Sequence, residues 1–210
     1  MEGTTFLILA AVSIINLMLL MKTLVGIFPS LMASTIRWKE GVNIEASAKL
    51  SRDRNLIATA LAIPFCLIIS RYDVYSPEYF GGIHSEGGRI WATLGVFIGY
   101  ICLRRLLEQA FRPKKMNFQT YSYANRTAFT FFIILTLLLL ALCGILSVFN
   151  INHDSGKDAI LWLSAAVYML FLIRKSQIFI SSYSIFAGFL YLCALEILPT
   201  GTLIVSAVIL

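Results

Sequence analysis

The chain has 210 residues, of which 59% are hydrophobic and 13% charged, with a mean hydropathy of +0.82. A soluble domain carries roughly 25% charged residues, so this composition excludes a water-soluble globule and indicates a chain whose solvent is mostly lipid. The formal charge of +6 does not point to nucleic acid, because the basic residues fall in short blocks between apolar runs. Such blocks read as topology determinants and as contacts to anionic lipid on the inner leaflet.

A spanning helix needs ~20 mostly apolar residues, and the chain offers six candidates. The first is 6–28, closed by Pro29 and read as a retained span because a signal peptide would need a positive stretch before it. It carries Asn16 near its middle, able to bond a neighbouring helix, and Lys22 near its end, able to snorkel to headgroups. A polar stretch follows, in which 36–50 has the loose periodicity of a short helix lying on the membrane. Ser51 is the expected N-cap of the second span, 56–72, which contains Pro64. The third, 90–107, holds Gly95 and Gly99, a pair that bares one helical face for close packing against another helix. The fourth is 127–149, the fifth 159–173 ending at Arg174-Lys175, and the last 178–199, with an apolar tail over 202–210. The expected fold is therefore all-α, a polytopic helical bundle in one membrane domain. The odd spans end alike in basic and aromatic residues, compatible with three helical-hairpin units.

The links after spans one, three and five hold 13 of the 17 Lys and Arg residues, and those after spans two and four hold Arg71, Arg89 and Lys157. The positive-inside rule then puts the odd links in the cytoplasm and both termini outside. The four cysteines lie in apolar runs with no C-x-x-C pair, so they read as packing residues, and no cofactor is implied. His84, Glu86, His153 and Asp154 lack metal-binding spacing, and no metal site is expected.

One carboxylate dominates the candidate sites. From Ile178 to Leu210 the only ionisable side chain other than tyrosine and cysteine is Glu196, three residues before Pro199. A straight helix over that run would be ~50 Å long against a hydrocarbon core of ~30 Å, so the run must break, and Pro199-Thr-Gly201 is the expected place. If the span starts at Ile178, Glu196 is near the outer interface and wet. If it starts near Ser184, Glu196 is deep, where it can relay protons, bind a cation, or pair with Lys22 or Asn16. A second set, Arg52, Arg54, Arg104, Arg105 and Arg126, reads as lipid contacts or as a convergent site for a phosphate headgroup or an acidic partner.

Arg52-Asp-Arg-Asn55 opening an even span, with Leu195-Glu-Ile-Leu-Pro199 near the C-terminus, resembles an uncharacterised family of multi-spanning inner-membrane proteins of Bacteroidetes, frequently encoded beside uroporphyrinogen-III synthase. The resemblance implies a bacterial inner membrane and assigns no activity. The expected function is a non-enzymatic scaffold or accessory subunit with a membrane-protein partner or a second copy of itself. The alternatives are a small transporter using Glu196, and an enzyme acting on a lipid phosphate at the arginines. The absence of nucleophile or paired-acid spacing weighs against an enzyme.

Overall fold

Backbone groups in lipid have no water to bond, so an apolar span must satisfy them internally, and here it does so as helix. A computed structural model describes residues 2–36, 44, 47–75, 86–110, 118–149, 152–182 and 185–209. It contains six helices long and apolar enough to cross a membrane, in an all-α bundle. We number them α1 (Glu2–Ile36), α2 (Ala48–Arg71), α3 (Glu86–Ala110), α4 (Phe118–Val148), α5 (His153–Ser182) and α6. The last is built from Ile185–Leu192, a π-helical turn Cys193–Ile197, and Leu198–Ile209.

Several expected ends move. Pro29 lies inside α1, which runs on to Ile36, because a proline withdraws only one N–H and the neighbouring bonds carry the helix past it. The second helix starts at Ala48, capped by Ser47, whose hydroxyl accepts from the Leu50 N–H at 3.4 Å. Ser51, the expected cap, is buried inside the first turns. Arg174 and Lys175 do not close the fifth span; α5 continues through them to Ser182. The 33-residue apolar run is therefore divided between two helices, α5 ending at Ser182 and α6 starting at Ile185. The break falls there and not at Pro199-Thr-Gly201, which is helical, and the expected tail 202–210 continues the same helix to Ile209. The interfacial helix expected over 36–50 falls mostly outside the described residues, as does His84.

The core forms where α1, α2 and α4 meet, through Leu24, Ile27 and Leu31, Ile57 and Leu61, and Ile133. Phe65, Phe97 and Phe132 join α2, α3 and α4, with ring centroids 5.2 to 5.6 Å apart. Helix α4 packs on both α2 and α5, while α3 packs on α1, α2 and α6, so contacts run across the three hairpin units the sequence suggests. Large apolar side chains such as Met18, Leu19 and Trp162 are more than 70% exposed, an arrangement costly in water and costless in lipid.

A polar latch ties the ends of α2, α3 and α5. Tyr72 stacks on His153 with centroids 5.5 Å apart, His153 Nε2 lies 3.1 Å from the Arg71 carbonyl, and Arg89 pairs with Asp73 at 3.0 Å. Partial burial, with the Cys143 thiol close by, raises the Tyr72 phenol above its ordinary range. Gly156 leaves room for this ring, since an added Cβ would lie 2.8 Å from Tyr72 Cε1.

Candidate functional site

Positions 100, 104 and 108 of α3 are four apart and share one helical face, so Tyr100, Arg104 and Glu108 form a polar stripe toward the Ala110 end. Lys175 lies two turns before the end of α5, with Phe171 one turn and Tyr168 two turns behind it on the same side. Glu196 is the ninth residue of the apolar segment Gly188–Val205, ~12 Å along it. These three helices bring their charges together at one level, inside the half of the bundle where α3 and α5 end and α6 begins.

The carboxylate is the centre. Glu196 is fully buried, and its Oε1 accepts from Arg104 Nη2 at 2.7 Å and from Lys175 Nζ. Among the described residues its Oε2 has no hydrogen-bond partner. Lys175 is likewise fully buried, whereas the Arg104 side chain is 16% exposed. Arg104 also lies against Glu108, with Nε 3.3 Å from Oε1, an ion-pair contact without an aligned hydrogen bond. Two cations and two carboxylates thus make a formally neutral cluster, with Arg104 touching both acids. The Phe171 ring sits 5.7 Å from Lys175 Nζ and 5.9 Å from the Arg104 guanidinium, and Phe179 lies 5.8 Å from Lys175 Nζ. Cation–π attraction thereby adds to the ion pairs.

The backbone under Glu196 is unusual for a physical reason. Pro199 has no N–H, so in a regular α-helix the Leu195 carbonyl would lose its donor. The ladder widens just before it, and the Leu198 N–H bonds the Cys193 carbonyl five residues back. Tyr168 donates from its hydroxyl to the Glu196 carbonyl at 3.1 Å, supporting the turn from α5. One turn further along α6, Thr200 Oγ1 lies 3.2 Å from Tyr100 Oη. Beyond that pair is a shallow open groove of about 190 Å³ between α3 and α6, lined by Tyr75, Val96, Gly99, Tyr100, Pro199 and Thr202.

The sequence-derived candidates separate. Glu196 is completely buried, so it is not the wet carboxylate of the interfacial alternative, and it lies within the apolar segment Gly188–Val205. Its partners are Arg104 and Lys175; Lys22 is exposed on α1 and Asn16 half-buried there, so the expected pairing with either gives way to cations on the adjoining helices. The five arginines do not gather around one point. Arg104 engages the acids, Arg126 donates to Ser51 Oγ at 3.1 Å, and the buried Arg54 bonds Asn55 and lies 5.9 Å from the Phe129 ring. Arg52 and Arg105 are exposed. Among the described residues no atom lies within 4 Å of an added Cβ at Gly95 or Gly99, so no helix packs closely on either, and Gly99 instead lines the groove toward α6.

Sequence reading missed Lys175, Glu108, Tyr100, Tyr168 and Thr200. Lys175 was hidden because the Arg174-Lys175 pair read as a span end, whereas the 30-residue helix runs on past it to Ser182. The spacing of Tyr100, Arg104 and Glu108, and of Glu196 and Thr200, was available as a signal. Among the described residues no group of three metal-ligating side chains occurs.

Fold and site together define a multi-spanning α-helical membrane bundle with a charged centre buried between three helices. Comparisons with protein-family models, curated proteins and solved structures gave no match.

Proposed function

We propose that this is a small membrane transport protein of the bacterial inner membrane that uses Glu196 as its ionisable centre and couples its action to protonation there. One observation carries the reading. A carboxylate midway along a membrane segment is held by two cations from two other helices, on a π turn that interrupts its own helix. Ionisable groups at that depth are costly and usually mark ion or proton pathways, and π turns often fall at functional positions. The basic residues Lys49, Arg52, Arg54, Arg105 and Arg126 lie toward the ends of α2, α3 and α4 on the same side of the bundle as the cluster. The positive-inside rule makes that side cytoplasmic, with both termini outside and the basic residues against anionic lipid.

The test is proton uptake in liposomes reconstituted with the purified chain, driven by a potassium diffusion potential and read by an enclosed pH dye. Unmodified protein should carry flux well above empty liposomes, and Glu196→Gln should lower it at least ~10-fold. Full flux in that variant, or none in the unmodified protein, would sink the reading.

A second reading, an architectural lock in a scaffold or accessory subunit, is favoured by one fact. Neither Glu196 nor Lys175 reaches the groove, and both are fully buried. Under that reading a variant with all three charges made apolar would keep its function and its partner.

A further inference from the structure

Tyr100 lines the groove between α3 and α6, and its hydroxyl contact with Thr200 stands one helical turn from the charges. Tyr100 precedes Arg104 by four residues on α3, and Thr200 follows Glu196 by four on α6. Tyr100 Oη and Thr200 Oγ1 are 3.2 Å apart, so a hydroxyl from each helix stands one turn from the ion cluster, and Tyr100 also lines the groove. A turn rises 5.4 Å, so the pair lies on the order of 6 Å from the Arg104–Glu196 contact. Each hydroxyl can donate and accept, which an apolar seal of the same shape could not do.

The groove is shallow and open, with Tyr100 and Thr202 in its lining. Its volume of about 190 Å³ leaves room for several waters. Gly99 contributes to it by lacking a side chain: a Cβ there would meet nothing within 4 Å. Tyr75 follows the end of α2, so one end of the groove lies near the Tyr72–His153 latch. On the other side of the cluster, Glu108 lies one turn beyond Arg104, toward the end of α3. The groups around the Glu196 carboxyl are therefore Tyr100, Arg104 and Glu108 on α3, Tyr168 and Lys175 on α5, and Thr200 on its own helix. Its Oε2 is fully buried and has no partner among the described residues, leaving one oxygen open to a proton.

We propose that the α3–α6 groove is the aqueous path by which Glu196 exchanges protons with the Tyr75 side, and that Tyr100 and Thr200 are its gate. This rests on the transport reading above. A proton arriving through the groove passes the hydroxyl pair and adds to Glu196, which then loses its hold on Lys175 and Arg104. The same proton leaves toward Glu108, whose carboxylate shares Arg104, and the ion pairs re-form. One proton is taken up on one side and released on the other, with no other reagent consumed.

The experiment uses the full chain with its four cysteines replaced by alanine and single cysteines introduced in liposomes. Gly99→Cys and Thr202→Cys should react with a small charged methanethiosulfonate at least ~10-fold faster than Ile98→Cys on the exposed apolar face of α3. The modification should block proton flux, and Tyr100→Phe should lower flux ~10-fold. Labelling of the groove cysteines no faster than Ile98→Cys, or unchanged flux in Tyr100→Phe, overturns the path. The reading of Glu196 then stands if Glu196→Gln still loses flux. Fast labelling in a protein that carries no flux overturns the path together with the reading beneath it.

Discussion

Helices α1, α2 and α4 meet through Leu24, Ile27, Leu31, Ile57, Leu61 and Ile133, an apolar core with the buried Arg54 at its edge, over the Phe129 ring. Helix α6 meets α3 and α5 through Glu196, Arg104 and Lys175, with Tyr168 and the Tyr100–Thr200 pair alongside. In lipid the difference matters, because apolar surface gains little by leaving one hydrocarbon environment for another. The first region is therefore held by close van der Waals fit, which tolerates gradual change. The second is held by charges that are stable only as a set, since removing one leaves its partners buried and uncompensated. The first has the character of a framework, and the second can exist in more than one state.

The largest effect should come from breaking the charged set unevenly. Glu196→Leu should destabilise the chain by about 3–5 kcal/mol, read as the midpoint of a denaturant titration followed by circular dichroism in detergent. Converting Arg104 and Lys175 to Met in the same chain should restore most of that loss while leaving proton flux absent. A single variant as stable as the parent would erase the contrast between the two regions. In the apolar region Leu61→Ala, at a site with no exposure, should cost ~2–4 kcal/mol by opening a cavity and leave flux per folded molecule unchanged. A loss of flux without loss of stability there would mean that the framework takes part in function. The smallest change should follow Tyr168→Phe, which removes one hydrogen bond to the Glu196 carbonyl. About 0.5–1 kcal/mol is expected from hydrogen bonds between membrane helices, and a cost above ~3 kcal/mol would show that the π turn depends on that bond.

The helices were legible in the sequence because lipid imposes a length and an apolar composition that few other structures share. Their ends were less so. The rule that a basic pair closes a span failed at Arg174-Lys175, where an intramembrane acid compensates one of the two cations. The rule that proline breaks a helix failed at Pro29 and Pro199, each carried inside a helix. Glu196 could be singled out from a run with no other charge, but its partners could not, because Arg104 and Lys175 are 92 and 21 residues away and belong to different helices. Gly95 and Gly99 pose the reverse problem. A local spacing suggested close packing, and the fold uses the bare surface of Gly99 to leave a groove open.

The ion pair between Lys175 and Glu196 also bears on how the chain can be made. Helix α5 ends at Ser182 and α6 starts at Ile185, and Gly188 sits close against Phe179, an added Cβ there lying 3.3 Å from Phe179 Cβ. A lone charged residue near the centre of a helix raises the insertion free energy by about 3 kcal/mol on translocon-based scales. Helices delivered to the bilayer one at a time would meet that barrier in full for Glu196 and in part for Lys175, which lies two turns before the end of α5. Delivered as a closed hairpin, they arrive with the two charges neutralised by each other, and Arg104, already placed on α3, is left to receive them.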